Sequence, residues 1–258
     1  MQRRLWATCC LAAAFLVFAT ESEAWLLQRV QPLAADILPI IIDGTEAAAT
    51  DAGARTVVSL AIKMEAVGRI CSGVIIDERW ILTAGHCLLG AVDVGIGFPF
   101  APPESYMRSE KLYLHPKYAE NPDVRTTTYD FALIQLPGDI PASYQVASIE
   151  TDHAALKVPG LFGTYGFGLD ENGWGGILRK ATIFVSGIDR SRLSIQPSYG
   201  PNICRGDSGG PIFLNERLVA INSAGDKNGC KGGWSMGAIV AHGWPWIEEV
   251  MAANKPVQ

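Results

Sequence analysis

The chain has 258 residues, 48% hydrophobic and 18% charged, with a formal net charge of −5. That balance suits a globular protein with a substantial core; the acidity, with no basic cluster against it, argues against a nucleic-acid binder. The 27 glycines and 15 prolines point to many short strands and tight turns, not to a helical bundle.

The N-terminus reads as an export signal. Arg3 and Arg4 supply a positive start, residues 11–18 are unbroken apolar sequence, and Ser22 and Ala24 are small residues at a cleavage site. Cleavage is expected after Ala24, with Ala19 as the alternative. An uncleaved membrane anchor is the competing reading, but the apolar stretch is shorter than the roughly 20 residues a span needs. No later segment looks transmembrane, so the mature protein is expected to be secreted or periplasmic and free of membrane. Residues 25–40, broken by Pro32 and Pro39, read as a pro-segment.

Everything else lies in 41–258. Strand-sized apolar runs occupy 56–63, 72–77, 80–83, 93–97, 110–114 and 129–136, with loops expected at 101–103 and 118–128. A second series follows at 160–168, 177–186, 211–214, 217–223 and 235–241. The last segment, 244–253, has Pro245 near its start and apolar residues at Trp246, Ile247, Val250 and Met251. It is expected to be an amphipathic helix. Two runs of strands predict two all-β halves, approximately 41–155 and 156–258, each a barrel.

Export also governs how the cysteines are read. Cys9 and Cys10 leave with the signal, so Cys71, Cys87, Cys204 and Cys230 remain. In an oxidising compartment these imply two disulfides, for which three pairings are formally possible. Joining neighbours pairs Cys71 with Cys87 and Cys204 with Cys230, and that pairing is expected. A zinc site is the rival, but no pair has C-x-x-C spacing. No metal or other cofactor is expected.

Chemistry concentrates in Gly206-Asp207-Ser208-Gly209-Gly210. A serine flanked by glycines can be approached closely by a substrate backbone, and the glycines let successive N–H groups converge on one point. Thr83-Ala84-Gly85-His86-Cys87 offers a base, and Tyr129-Asp130-Phe131-Ala132-Leu133 offers a carboxylate inside an apolar run. Serine, histidine and aspartate are the components of acyl transfer. Taken singly, each residue has a structural reading as a core, turn or loop residue. His115, His153 and His242 keep that reading.

The order His86, Asp130, Ser208, together with the words around them, resembles the trypsin/chymotrypsin family of serine endopeptidases. Ile41-Ile42-Asp43-Gly44 is similar to that family's mature start. Trp80-Ile81-Leu82-Thr83-Ala84-Gly85-His86-Cys87, His115-Pro116-Lys117-Tyr118 and Gly206-Asp207-Ser208-Gly209-Gly210-Pro211 are similar to its other motifs, over nearly all of 41–253. The resemblance implies two packed six-stranded antiparallel β-barrels with a C-terminal helix. It also implies a monomeric enzyme acting on protein or peptide substrates. Ser208 would attack, His86 would shuttle the proton and Asp130 would hold the imidazole. Gly206 and Ser208 would form the oxyanion hole, and Ser223 would support Asp130. The amino group of Ile41, freed by an activating protease, would pair with Asp207.

The chain departs from the family at several positions. Ile40 precedes Ile41 where arginine or lysine is usual, so a trypsin-like activator would not cut there. The resemblance places Asn202 at the floor of the specificity pocket, with Gly225 and Ser235 on its walls and Ala224 in place of a usual tryptophan. Without a carboxylate at the floor, an uncharged residue before the scissile bond is expected. Arg205 lies at the rim. These departures motivate an alternative, a protease-like binding or decoy protein without turnover. An α/β-hydrolase esterase is excluded, because it needs G-x-S-x-G and serine first.

Overall fold

The computed structural model describes residues 41, 44–120, 128–168, 176–190, 192–196, 201–225 and 233–255. The signal, the pro-segment and Cys230 lie outside these residues. In chain order the strands are β1 (Thr45–Glu46), β2 (Val57–Lys63), β3 (Gly68–Asp77), β4 (Trp80–Thr83), β5 (Asp93–Gly97), β6 (Met107–Arg108), β7 (Lys111–Leu114) and β8 (Ala132–Gln135). They continue as β9 (Gly160–Gly166), β10 (Arg179–Asp189), β11 (Arg192–Ile195), β12 (Pro211–Leu214), β13 (Arg217–Gly225) and β14 (Ser235–Ile239). Short helices α1 (Gly85–Leu88) and α2 (Pro116–Glu120) precede a longer α3 (Val240–Ala253).

The strands form two antiparallel sheets, ordered β6-β5-β2-β3-β4-β8-β7 and β1-β10-β11-β14-β13-β12-β9. In the first, β6 and β7 are one passage of chain: Ser109 N–H donates to Val94 O at 2.9 Å and Glu110 N–H to Gln135 O at 2.8 Å. That passage runs from β5 to β8, so six passages close on themselves. In the second, β9 also pairs with β10 over seven residues, which closes six strands and leaves the two-residue β1 appended to β10. Closure removes the unpaired edges that an open sheet would expose. The expected pair of six-stranded barrels is what the chain builds.

Each barrel is built around buried apolar side chains. Leu60, Val74, Ile81, Leu82, Ile96, Leu133 and Ile134 are buried in the first, and Phe162, Ile183, Val185, Leu193, Ile212, Val219 and Ile239 in the second. Each such side chain contributes about 1.5–3 kcal/mol on leaving water. The connector between the barrels is stitched to both. Ala147 N–H donates to Ile75 O, while Glu150 N–H and Leu218 N–H bond across to Leu218 O and Ser148 O.

Three local expectations change. Strand β11 has only two apolar residues beside Arg192 and Ser194, too weak a pattern to register alone; pairing with β10 and β14 makes it a strand. Helix α2 occupies the start of the expected 118–128 loop, because Tyr118 is buried against Gly85. The C-terminal helix begins at Val240, not Trp244, so Pro245 lies inside it. The β-branched Ile239-Val240 run reads as strand. Burial decides otherwise: Val240 and Ile247 are fully buried, and Gly243 sits so close to the Phe131 ring that a Cβ would approach it to 2.7 Å.

Candidate active site

The barrels meet where backbone groups of one sheet bond to the other. Ser72, on β3, donates its N–H to Ser208 O at 2.8 Å and its hydroxyl to Gly206 O at 2.8 Å. Its Oγ in turn accepts from Phe167 N–H at 2.9 Å. A first-barrel serine thus holds the Gly206–Ser208 loop of the second. Ser72 lies in no motif of the sequence, because its role depends on a loop 134 positions away. Asn222, on β13, completes the cradle: its N–H donates to Gly210 O, its carbonyl accepts from Gly209 N–H, and its side-chain amide donates to Asp207 O at 3.3 Å.

Glycine is required at two points of this loop. Gly206 has φ +96° and Gly209 φ +80°, a region that favours glycine. A Cβ on Gly209 would also collide with Thr83 Oγ1 and Ser72 O. The turn occupies the N–H groups of Asp207, Gly209 and Gly210 with carbonyl acceptors at Cys204, Asn222 and Asp207. Among the described residues, those of Gly206 and Ser208 bond to nothing. Two free N–H groups flanking a serine hydroxyl are what stabilisation of an oxyanion needs.

On the first barrel, β4 delivers the chain into α1, which carries His86. Asp130 precedes β8 and is 1% exposed. Its two oxygens are both used by His86: Oδ2 lies 2.8 Å from Nδ1, and Oδ1 accepts the His86 N–H at 2.8 Å. Ser223, from β13, donates its hydroxyl to Oδ2 at 2.6 Å. Burial pushes the Asp130 carboxyl up, but the His86 charge and the hydrogen bonds from His86 and Ser223 outweigh it and hold it below the usual carboxylate range. Among the described residues no hydrogen bond joins Ser208 Oγ to His86 Nε2. The aspartate–histidine half of the constellation is assembled, and the serine half is adjacent but open.

The disulfide Cys71–Cys87 spans a Cα–Cα distance of 6.4 Å and ties β3 to the helix bearing His86. Cys204 is disulfide-bonded as well. Cys71, His86 and Cys87 bring three potential metal-donor atoms together, but both sulfurs are committed to the disulfide, so no thiolate is available as a ligand.

Asp207 is fully buried. Burial pushes its carboxyl up to about 7, against the N–H groups of Cys204 and Gly168, which donate at 2.9 Å each and favour the charged form. Ile41 is also buried, packed beside Gly44. Just beyond it, β1 pairs with Arg179 and Lys180, which on their other side face Gly166 and Tyr165. The Asp207 carboxylate sits against Gly166 and Gly168. The segment after Ile41 and Asp207 therefore share one end of the second barrel.

Asn202 is buried, donates Nδ2 to Gly233 O at 3.2 Å and accepts the Ile203 N–H on Oδ1 at 3.0 Å. Among the described residues Ser235 Oγ is buried without a hydrogen-bond partner, and a Cβ on Gly225 would lie 3.4 Å from it. The three residues expected around the pocket come from the 201–204 loop and from the paired strands β13 and β14.

The trypsin family profile matches residues 41–247. The chain belongs to the trypsin family. Trypsin 5G1 of Aedes aegypti is 29% identical over 73% of this chain and 79% of its own length. A trypsin of Simulium vittatum is 32% identical over 60% and 70% respectively. The solved structure of HL collagenase superposes with a TM-score of 0.72 at 25% identity, covering 83% of this chain and all of that one. As a member of the trypsin family, the chain is a serine endopeptidase, a hydrolase whose substrates are proteins or peptides.

Proposed function

We propose that the chain is exported, matures by cleavage after Ile40, and hydrolyses peptide bonds after an uncharged residue through Ser208, His86 and Asp130. Residues 1–24 would be the signal, 25–40 the pro-segment and 41–258 the protease domain, released to a secreted or periplasmic site as a monomer. The observation that carries the catalytic reading is the doubly held Asp130–His86 pair beside Ser208. Asp130 fixes the proton on Nδ1, which leaves Nε2 as the base. Ser208 Oγ attacks the scissile carbonyl as His86 takes its proton. The N–H groups of Gly206 and Ser208 receive the oxyanion, and His86⁺ returns the proton to the leaving amine. Water then repeats the sequence on the acyl-enzyme.

Cleavage before Ile41 would supply the ammonium that Asp207 needs, since a buried carboxylate is otherwise held near neutrality at a cost. Pro39 and Ile40 require an activator that does not depend on arginine or lysine. A Cys204–Cys230 bridge would brace the loop before Ser208. In the pocket, Asn202 is neutral and already bonded to backbone, so a substrate cation would enter without a counter-ion.

The test is labelling of the processed protein by a fluorophosphonate, followed by kcat/KM on peptides with arginine, phenylalanine, leucine, alanine or glutamate before the scissile bond. Labelling lost in Ser208→Ala, with a neutral residue preferred, is the expected result. A folded, processed sample that does not react would favour the binding or decoy reading. Arginine preference would overturn the assignment of Asn202 to the pocket floor.

A further inference from the structure

The charge around the candidate site runs opposite to that of the chain. The protein carries a formal −5, yet two exposed arginines stand beside the candidate site. Arg69, on β3, donates Nη1 to the His86 carbonyl at 2.7 Å. Arg205 is exposed and directly precedes Gly206. Four other arginines are paired with carboxylates: Arg79 with Glu110, Arg108 with Asp93, Arg192 with Asp189 and Arg217 with Glu150. Among the described residues neither Arg69 nor Arg205 has a carboxylate partner. The site's own carboxylates, Asp130 and Asp207, are buried and engaged. Glu65, on the turn between β2 and β3, forms no ion pair with Arg69.

Direction follows from the fold. The proposed pocket belongs to the second barrel, at Asn202, Gly225 and Ser235. Arg69 belongs to the first, against the histidine. A peptide with its recognised side chain in that pocket and its scissile carbonyl at Ser208 sends its leaving portion toward Arg69. The guanidinium keeps further donors beyond the one given to His86 O, and a carboxylate can accept two of them.

We propose that Arg69 and Arg205 select substrates with an acidic residue two positions after the scissile bond. This inference rests on the reading of Ser208 and the pocket given above. The processed enzyme is assayed on three internally quenched peptides, alike except for Glu, Gln or Lys two residues after the scissile bond. The Glu peptide is expected to exceed the Gln peptide in kcat/KM by about fivefold, the upper range for an exposed ion pair, and the Lys peptide to fall below both. Raising salt to about 0.5 M should shrink the Glu/Gln ratio, because the charges are exposed. In Arg69→Gln/Arg205→Gln the ratio should approach one, whereas Arg69→Lys should retain part of it. Equal rates on the three peptides with ready cleavage would overturn the inference and leave the endopeptidase reading standing. A Glu preference unchanged in the double variant would assign it to other residues and overturn the inference too. No cleavage of any peptide by a processed sample would remove both.

Discussion

Asp130 and Asp207 are both buried aspartates beside the same loop, and burial drives both carboxyls upward. They end on opposite sides of the ordinary value. Asp130 receives the His86 charge, two His86 hydrogen bonds and the Ser223 hydroxyl, and stays below the usual range. Asp207 receives two backbone N–H groups and rises to about 7. The contrast lies in the partner: a group able to carry positive charge reverses the desolvation penalty, and two neutral donors do not. In the unprocessed chain the Ile41 nitrogen is a peptide amide and cannot serve as that partner.

The largest effect is expected at the carboxylate whose partner is complete. Asp130→Asn would leave the imidazole without its anion and free its tautomer, so kcat should fall by about 10²–10⁴-fold, read on the processed enzyme with KM little changed. Next comes Asp207→Asn, which should act in opposite senses before and after processing. In the precursor it removes a poorly compensated charge and should stabilise at pH 8 by on the order of a few kcal/mol, measured by thermal unfolding. In the processed enzyme it removes the proposed partner of the Ile41 ammonium, and activity should drop about tenfold or more.

The pH dependence of the precursor sharpens the same comparison. A carboxyl with a higher pKa folded than unfolded holds its proton more tightly when folded, so stability falls as pH rises from about 4 to about 7. Asp207→Asn should flatten that fall. Asp130, with a depressed pKa, contributes above the usual carboxylate range and loses its contribution only as pH drops through its folded value. The smallest effect is expected for Ser223→Ala, which leaves Asp130 with its histidine bonds; about 1.5–3 kcal/mol of stability for a bond to a charged acceptor should appear in denaturant titration. Equal behaviour of Asp130→Asn and Asp207→Asn in the precursor would break the comparison altogether.

The sequence carried the two-barrel class and most of the strands, and it singled out His86, Asp130 and Ser208 as candidates. Short words such as Ala84-Gly85-His86-Cys87 and Gly206-Asp207-Ser208-Gly209-Gly210 are legible because their residue types meet local demands: Gly206 and Gly209 need positive φ, and Cys71 and Cys87 are close enough in sequence to bridge. Alternating or continuous apolar runs registered most strands, because burial on one face or both leaves a periodic trace. What left no trace was whatever depends on distant chain. β11 exists through its neighbours, and α3 starts at Val240 because Phe131, more than a hundred positions earlier, leaves room only for Gly243. Ser72 holds the Gly206–Ser208 loop from the other barrel. The opposite ionisation of Asp130 and Asp207 is likewise tertiary: identical residues in apolar surroundings differ through partners that only folding brings within 3 Å.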